Sequence, residues 1–233
     1  MPTVAGNAEQ VIIKRPPTYM EAQRYFLETE KFRELMMMYN CAIREVRTKL
    51  EVLNDELTIT QKRNPIESIS TRIKQPRSIV QKLVRKGSEV TIEAVQKQVK
   101  DVAGVRVICM FTDDIYTIAD MLLRQDDIKV ISTKDYIQNP KPSGYRSYHM
   151  IVEIPVFFSN RKEMMMVEIQ IRTIAMDYWA SLEHEMKYKN DIPNEEQVSA
   201  ALRQCSYDIA DVERRMLDIR NSLPQEEDES LYG

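Results

Sequence analysis

Cysteine is scarce in this sequence, and long apolar runs are missing from it. Only three of the 233 residues are cysteines, Cys41, Cys109 and Cys205, which are odd in number and far apart. That spacing argues against a disulfide framework or a zinc site and favours a reducing compartment. No apolar run approaches the roughly 20 residues that a membrane-spanning helix needs, and the N-terminus lacks the apolar core of a signal peptide. We therefore expect a cytoplasmic protein without a membrane segment.

Glycine and net charge are also low. The chain has 5 glycines, and none of them belongs to a Walker-type loop that ends in Lys-Ser or Lys-Thr. The Gly-Ser and Asp-x-Asp pattern of ordinary nucleotidyltransferases is missing as well. Lys and Arg number 33 and Asp and Glu 36, so the net charge of −3 does not mark a nucleic-acid or membrane binder. The length and the 43% hydrophobic content suffice for one large domain with a buried core.

Two heptad stripes predict a long helix near each end of the chain. The first comprises Met36, Tyr39, Ile43, Val46, Leu50, Leu53 and Leu57; the second comprises Val198, Leu202, Cys205, Ile209, Val212, Met216 and Ile219. Each helix packs its stripe on the body of the domain, or it also contacts a second copy of the chain; we favour self-association. We expect a flexible arm at 1–18, the main domain at 19–190, a C-terminal helix at 191–223 and a disordered acidic tail at 224–233.

The middle of the chain predicts a mixed sheet with helices before and after it. Val102–Phe111 reads as a buried strand, Asp113–Arg124 as a helix and Lys129–Ser132 as a short strand. Tyr148–Phe158 and Met164–Thr173 read as an antiparallel hairpin. Thr173 suits the N-cap of a further helix, with Trp179, Leu182 and Met186 facing inward. The pattern indicates an α+β (mixed α/β) domain.

Positive charge gathers where a helix is predicted to begin. Pro76 suits the first helical turn and Gly87 the end, with an apolar face formed by Ile79, Val80, Leu83 and Val84. The polar residues around this start are Arg72, Lys74, Arg77 and Ser78, and Lys82 and Arg85 extend the positive field. Backbone N–H groups at a helix start favour anions, so we interpret the cluster as a polyphosphate site. A solvated basic face is the alternative.

Two carboxylates at strands are candidate magnesium ligands. Asp101 precedes the buried strand, in which Arg106 is the only charged residue. In the strand 164–173, Glu168 shares a face with Gln170 and Arg172. Magnesium usually takes one or two protein carboxylates plus substrate phosphates. The alternatives are an internal Asp101–Arg106 ion pair and an exposed polar strand face.

A 15-residue loop at 133–147 is long, basic and aromatic, and long ordered loops are usually functional. Tyr145 offers a ring on which a base can stack, and Gly144 permits a close approach. The side chains able to meet phosphates are Lys134, Lys141 and Arg146. Of the two histidines, His149 opens the next strand and is a candidate site residue, whereas His184 lies on the following helix.

Taken together, these segments closely resemble the synthetase domain of the RelA/SpoT homologues, and the length resembles the single-domain small alarmone synthetases. The matching stretches are RIKQPRSI (72–79), DVAGVR (101–106), SGYRSYH (143–149) and EIQIRTIAM (168–176), extended by WASLEH (179–184). The resemblance implies a nucleotidyltransferase-like fold with about five strands. It also implies transfer of the β,γ-pyrophosphate of ATP to the 3′-hydroxyl of GDP or GTP, yielding an alarmone and AMP, without hydrolase activity.

The resemblance also implies a role for each site residue. ATP is bound by Arg72, Lys74, Ser78, Lys82, Arg85 and Arg106, with the two arginines Arg72 and Arg106 on either side of the adenine. GDP or GTP is bound by Lys134, Lys141, Tyr145, Arg146, His149 and Gln170. Asp101 and Glu168 hold Mg²⁺, and Glu168 accepts the proton of the 3′-hydroxyl.

Two positions bear on the branch within this family. The RelQ-like branch carries Phe and Asn, both tied to activation by the product, where this chain has Ser68 and Asp177. The sequence therefore resembles the RelP branch, and we expect no strong stimulation by guanosine pentaphosphate. The resemblance implies a homotetramer. Two other interpretations remain open: a single-stranded RNA-binding module built on the basic helix and the Tyr145 loop, and a catalytically inactive homologue.

Overall fold

The computed structural model describes residues 26–27, 29–60, 62–187 and 194–224. The helices bounded within these ranges are α1 (Glu30–Thr60), α2 (Pro76–Arg85), α3 (Ile92–Gln98), α4 (Thr112–Leu123), α5 (Ile174–Lys187) and α6 (Glu195–Ser222). The strands are β1 (Ile66–Ile73), β2 (Ala103–Cys109), β3 (Lys129–Asp135), β4 (Tyr148–Phe157) and β5 (Lys162–Thr173). The predicted arm at 1–18, and the predicted tail apart from Pro224, lie outside the described residues.

The strands form one mixed sheet in the order β1-β2-β5-β4-β3. Only β2 and β5 run parallel, while β1–β2, β5–β4 and β4–β3 are antiparallel pairs. The hairpin predicted at 148–173 is therefore confirmed as β4–β5. The expectation of an α+β fold with a mixed sheet of about five strands and long terminal helices is also confirmed.

Helix α1 lies across one face of the sheet and contacts β1, β2, β4 and β5. Of the seven residues in the first heptad stripe, all but the partly buried Met36 are buried, and Val46 and Leu50 are fully buried. On the sheet side, alternate residues such as Val105, Ile169 and Met150 are buried in the same hydrophobic cluster. The first stripe is therefore used in packing within the chain.

The second heptad stripe is only half covered. Leu202 is buried, and its carbonyl accepts a 2.8 Å hydrogen bond from the indole Nε1 of Trp179 on α5. Further along α6, the side chains of Val212, Met216 and Ile219 are each more than half exposed. Long as α1 and α6 are, no helix in the described part of the chain is apolar enough to span a membrane.

Several local predictions need correction. The sequence-based assignment did not place β1 or α3, and β3 continues to Asp135 rather than ending at Ser132. Leu182 and Met186 face solvent, with 38% and 44% exposure, because α5 packs through Met176, Trp179 and Ala180 in its first half. Val84, expected on the apolar face of α2, is also 39% exposed.

Candidate functional site

The face of the sheet opposite α1 carries two rows of residues, most of which have polar side chains. The pairing register aligns Arg72, Gly104, Glu168, Ile151 and Ser132 in one row, and Ser70, Arg106, Gln170, His149 and Lys134 in the next. Because side chains alternate along a strand, both rows point away from the core. The register thus brings together groups that lie up to 100 positions apart in the sequence.

Two cavities open on this face. A large cleft of about 760 Å³ is lined by Arg72, Lys82, Lys100, Asp101, Ser132, Lys134, Tyr136, Lys141, Ser143, Tyr145, His149, Ile151, Glu168, Gln170 and Glu183. A small cavity of about 170 Å³ adjoins it and shares Arg72, Glu168 and Gln170, with Gly104 and Arg106 among its other lining residues. Five lysines and arginines face three carboxylates in the large cleft, a balance that suits a polyanionic ligand.

Asp101 is held at the cleft by two lysines. The Nζ atoms of Lys74 and Lys82 lie 2.9 and 2.8 Å from its two carboxylate oxygens. Burial alone would raise the pKa of Asp101, but the hydrogen bonds from Lys82 and Lys74 outweigh it and hold that pKa below its usual value. Lys82 lies on α2, which begins at Pro76, as predicted, and ends before Gly87, whose φ is +68°.

Glu168 is contacted from three sides. The amide Nε2 of Gln170 donates a 2.9 Å hydrogen bond to Oε2, while Nδ1 of His149 lies 3.8 Å from Oε1. The guanidinium of Arg72 is 3.9 Å from Oε2. The Glu168 side chain remains 16% exposed, so this carboxylate is oriented by its neighbours and still open to the cleft.

His149 is a neutral imidazole in this environment. Burial, reinforced by the charges of Arg172, Lys141, Lys134 and Arg72, lowers its pKa to about 3. Its Nε2 atom is 2.8 Å from the hydroxyl of Tyr145, and its ring meets Tyr136 edge-on at 5.2 Å between centroids. The contact with Glu168 is therefore between a neutral ring and a carboxylate rather than an ion pair.

Aromatic rings and one lysine form the wall of the cleft beside His149. The ammonium of Lys141 lies 4.6 Å from the ring centroid of Tyr145 and 4.8 Å from that of Tyr136. These distances are typical of cation–π contacts. Tyr145 thus presents a flat ring beside a cation, a suitable surface for a nucleobase.

Arg172 and Asp177 lie behind this wall. The Arg172 side chain is buried, and its two terminal nitrogens contact Asp177 Oδ1 at 3.0 Å, Gln170 Oε1 at 3.1 Å and the Tyr145 hydroxyl. Asp177 Oδ1 also lies 3.3 Å from Nη1 of Arg106. The charge of Arg106, whose side chain is partly exposed, is thus paired with Asp177 rather than with Asp101, the alternative raised by the sequence.

Helix α6 supports the loop that carries Tyr145. The Ser206 hydroxyl donates a hydrogen bond to the Gly144 carbonyl, and Arg146 Nη1 lies 2.6 Å from Glu213 Oε2. Glu213 also accepts a hydrogen bond from Thr173, the N-cap residue whose hydroxyl accepts 3.1 Å from the Met176 N–H. The confirmed N-cap of α5 and the Tyr145 loop are therefore tied to the same helix.

The structure gathers most, but not all, of the predicted site residues. Those that line one of the two cavities are Arg72, Lys82, Asp101, Arg106, Lys134, Lys141, Tyr145, His149, Glu168 and Gln170, and Lys74 reaches Asp101. Ser78, Arg85 and Arg146 are not among the lining residues, and Arg146 points instead to Glu213. Tyr136 and Ser132 were not singled out from the sequence, although Tyr136 lies in the aromatic loop and the period-2 pattern of a longer β3 would have pointed to Ser132.

The donor set fits a magnesium ion that also binds phosphate. Asp101 and Glu168 both face the large cleft, and carboxylate oxygens are the protein ligands that Mg²⁺ prefers. No cluster of three or more Asp, Glu, His or Cys side chains able to hold a metal occurs within the described ranges. Two carboxylates leave most of an octahedral shell for substrate oxygens and water, as Mg²⁺ requires.

Comparison with known proteins follows the same motifs. A family model described as a region found in RelA / SpoT proteins matches residues 71–193, more than half of the chain. The chain belongs to the RelA/SpoT family. The resemblance drawn from the four motifs is therefore confirmed.

Individual relatives are single-domain members of this family. The chain is 41% identical to the GTP pyrophosphokinase YwaC of Bacillus subtilis, over 83% of this chain and 92% of that protein. It is 33% identical to the GTP pyrophosphokinase YjbM of the same organism, over 85% of this chain and 93% of the relative. Coverage of this extent means that the match includes helices around the sheet as well as the four motifs.

Solved structures of the family superpose on the same fold. The B. subtilis small alarmone synthetase 2 matches with a TM-score of 0.74 at 40% identity, covering 83% of this chain and 100% of that one. The B. subtilis small alarmone synthetase 1 bound to its product pppGpp matches with a TM-score of 0.73 at 34% identity, covering 83% and 98%. The same synthetase bound to AMPCPP matches with a TM-score of 0.66 at 30% identity, covering 82% and 97%.

Proposed function

We propose that this chain is a GTP pyrophosphokinase that transfers the β,γ-pyrophosphate of ATP to the 3′-hydroxyl of GDP or GTP, making the alarmones of stress signalling and AMP. The observation that carries the proposal is the meeting of Asp101 and Glu168 at one cation-rich cleft. The family membership and the names of the relatives support it.

The small cavity is the proposed adenine site. Arg72 and Arg106 line it on neighbouring strands, and a planar base between two guanidinium groups is stabilised by stacking and cation–π attraction. The phosphates of ATP then extend toward Lys74 and Lys82, with Ser78 and Arg85 as further proposed ligands on α2. The AMPCPP complex of a relative supports the binding of an ATP-like nucleotide.

The large cleft is the proposed acceptor site. Tyr145 stacks on the guanine, and the groups proposed to contact the rest of the nucleotide are Lys134, Lys141, His149 and Gln170. Arg146 would have to exchange its contact with Glu213 for a phosphate to take part. Lys141 already lies beside the Tyr145 ring, so one side chain can meet both the base and a phosphate. The pppGpp complex of a relative supports a guanine nucleotide here.

Positioning and charge neutralisation account for most of the catalysis of such a transfer. Glu168, oriented by Gln170, accepts the proton of the 3′-hydroxyl as the 3′-oxygen attacks the β-phosphorus and AMP departs. Mg²⁺ bound by Asp101 and Glu168 would neutralise negative charge on the phosphates. Lys74 and Lys82, which hold Asp101 in this structure, exchange that contact for the phosphates of ATP.

The decisive experiment mixes purified protein, magnesium, ATP and GDP and measures AMP and a 3′-pyrophosphorylated guanosine by chromatography. We expect both products in equal amounts. Absence of AMP would refute the proposal, and tight, salt-dependent RNA binding without turnover would favour the RNA-binding alternative.

Glu168→Gln tests the role of the carboxylate. We expect turnover to be abolished while ATP and GDP still bind, because the amide keeps the shape of the side chain but cannot accept the proton. Glu163→Gln is the matched control, since Glu163 lies on the same strand and pairs with Arg161 outside the two cavities. Retained turnover in Glu168→Gln would remove Glu168 from the mechanism.

Assembly, location and branch are further proposals. We propose a cytoplasmic homotetramer formed by the synthetase domain (19–190) and the C-terminal helix (191–223), and the half-exposed stripe on α6 supports self-association. Ser68 and Asp177 favour the RelP branch, without strong stimulation by pentaphosphate. A several-fold rise in turnover when pentaphosphate is added at subsaturating GDP would contradict that assignment.

A further inference from the structure

Arg172 was not assigned a role by the motifs, yet two chains of contacts lead from it to Glu168, one hydrogen-bonded throughout and one that ends in a 3.8 Å approach of His149. It is only 5% exposed, and it lines neither of the two cavities. A buried guanidinium requires partners, and guanidinium groups only donate hydrogen bonds. Arg172 therefore restricts the orientation of each group that accepts a hydrogen bond from it.

The first arm passes through Gln170. Arg172 donates to Oε1 of this amide at 3.1 Å, and Nε2 of the amide donates to Oε2 of Glu168 at 2.9 Å. Because the guanidinium only donates and a carboxylate only accepts, just one of the two orientations of the amide satisfies both partners. Arg172 thus fixes the direction of the hydrogen bond that Glu168 receives on one oxygen.

The second arm passes through Tyr145 and His149. Arg172 donates to the Tyr145 hydroxyl, so the proton of that hydroxyl is free to go to His149 Nε2, 2.8 Å away. The tautomer that gives the Tyr145 proton an acceptor has Nε2 unprotonated, and its ring proton lies on Nδ1, which faces Oε1 of Glu168 at 3.8 Å. One oxygen of Glu168 thus receives a hydrogen bond from Gln170, and the other faces the Nδ1–H of His149 at a distance longer than a hydrogen bond. The orientation of the Gln170 amide and the tautomer of His149 both depend on Arg172.

Asp177 holds Arg172 in place and also contacts Arg106, which lines the small cavity. A single oxygen, Oδ1, contacts Arg172 at 3.0 Å and Arg106 at 3.3 Å. The two guanidinium groups repel each other, and both of their Nε atoms are buried without a hydrogen-bond partner among the described residues. The carboxylate of Asp177 is the shared counter-ion of this pair.

We propose that Arg172, held by Asp177, is a positioning residue that fixes the tautomer of His149 and the orientation of Glu168 through Tyr145 and Gln170. The effects on kcat that follow from this proposal rest on the function proposed above for Glu168. The tautomer of His149 does not depend on that function. The hydroxyl of Tyr145 thereby has a task distinct from the stacking of its ring.

Tautomer measurement tests the proposal without turnover. The chain has 2 histidines, so long-range ¹H–¹⁵N spectra of uniformly labelled protein show two imidazoles, and His184→Gln assigns them. We expect the wild-type His149 to carry its proton on Nδ1, and we expect Tyr145→Phe and Arg172→Lys to shift it toward the Nε2–H form. A His149 protonated on Nε2 in the wild type, or unchanged in both variants, would overturn the proposal.

Steady-state kinetics separate positioning from stacking. Tyr145→Phe keeps the ring, so we expect kcat to fall at least 10-fold while the KM for GDP changes less than 3-fold. Arg172→Lys should lower kcat similarly and leave the KM for ATP within 2-fold, whereas Asp177→Asn should also raise the KM for ATP because Asp177 holds Arg106 as well. Unchanged kcat in Tyr145→Phe and Arg172→Lys would contradict the proposal.

Two controls accompany these variants. Asp120→Asn removes an exposed carboxylate that pairs with Arg124 on α4, and it should leave kcat and both KM values unchanged. Emission of Trp179, the single tryptophan, reports whether the α5–α6 junction is intact. A wild type that makes no AMP would refute the proposed function, while its tautomer spectrum would still decide the present inference.

Discussion

At the scale of single residues, the site depends on one glycine, Gly104, as much as on its charged side chains. Gly104 lies between Arg72 on β1 and Glu168 on β5 in the pairing register. A Cβ atom at this position would come within 3.2 Å of Cγ and 3.3 Å of Nε of Arg72. Contacts this short require the Arg72 side chain to move. The glycine therefore leaves room for an arginine proposed to contact adenine.

Gly104→Ala tests this reading. We expect the KM for ATP to rise about 10-fold, which corresponds to roughly 1.4 kcal/mol of lost binding, with the KM for GDP almost unchanged. The reason is local, since only Arg72 is displaced. Gly87→Ala is a control outside the two cavities, where added Cβ meets nothing within 4 Å. Equal ATP affinities in Gly104→Ala and wild type, measured by calorimetry with a non-hydrolysable analogue, would contradict the prediction.

At the scale of elements, α6 determines the conformation of the loop that carries Tyr145. Gly144 has a φ of +93°, and an added Cβ would lie 2.9 Å from the Ser206 Cβ on α6. The backbone of the loop therefore lies directly against the helix at this position, with no room for a side chain. A positive φ and a close approach coincide here, which explains why glycine occupies this position.

Gly144→Ala should disrupt this contact. The positive φ alone costs about 1–2 kcal/mol in a residue with a Cβ atom, and the clash with Ser206 adds to it. We expect the KM for GDP to rise more than the KM for ATP, because the loop lines only the acceptor side. Gly87→Ala, with φ +68° and open space, gives the cost of backbone strain without the clash. Thermal unfolding and the two KM values measure both effects, and equal effects of the two variants on GDP would refute the coupling.

The elements were predictable where periodicity was strong. The α1 stripe, the β4–β5 hairpin and the start of α2 at Pro76 all follow from apolar spacing and turn residues. β1 was missed because it is an edge strand with few apolar residues, so apolar and polar side chains do not alternate clearly along it. Its polar residues are Glu67, Ser68, Ser70, Thr71 and Arg72. The contact of Arg146 with Glu213 could not be foreseen, since it depends on where a helix 67 positions later packs.

At the scale of the whole molecule, α6 is fastened to the body by polar contacts and exposes much of its apolar stripe. Both terminal nitrogens of Arg220 donate to the carboxylate of Asp113 at the start of α4, with Nη1 3.1 Å from Oδ1. The Arg220 guanidinium also lies over the Phe111 ring, 4.5 Å from its centroid. The side chains of Val212, Met216 and Ile219 are all more than half exposed. Contacts at the ends of α6 and on its polar side thus set the orientation of the helix.

The Asp113–Arg220 contact should depend on pH. Burial would raise the pKa of Asp113, but the hydrogen bond and charge of Arg220 lower it below its ordinary value of about 3.9. A lowered folded-state pKa means that the stabilisation is complete above that ordinary value and is lost as pH falls through the lower folded value. Because Asp113 is partly exposed, we expect at most about 1 kcal/mol. Carboxyl NMR titration should show Asp113 titrating below 3.9, and higher in Arg220→Gln; identical titrations would refute the assignment.

The proposed homotetramer makes a prediction at the same scale. Val212→Glu combined with Met216→Glu places two charges on the exposed stripe, so we expect dissociation to smaller species by light scattering. The fold should persist, because neither side chain is buried in the chain. Arg214→Glu combined with Arg215→Glu changes charge on the exposed polar side of the same helix and serves as the control. An unchanged molar mass in the first variant would exclude this stripe as an interface.

The register of β5 limits how this site can be altered. β5 is hydrogen-bonded on both sides and carries Glu168 and Gln170 toward the cleft and Ile169 and Ile171 into the core. A slip of one residue would exchange these two sets, burying the carboxylate and exposing isoleucine to the nucleotides. A one-residue insertion or deletion in β5 would therefore disrupt the site, whereas the loop at 136–147 can change length without reversing the faces of any strand. Changes in the length of this loop can therefore alter which acceptor nucleotide is preferred. The position of the proposed catalytic carboxylate, by contrast, depends on the register of β5.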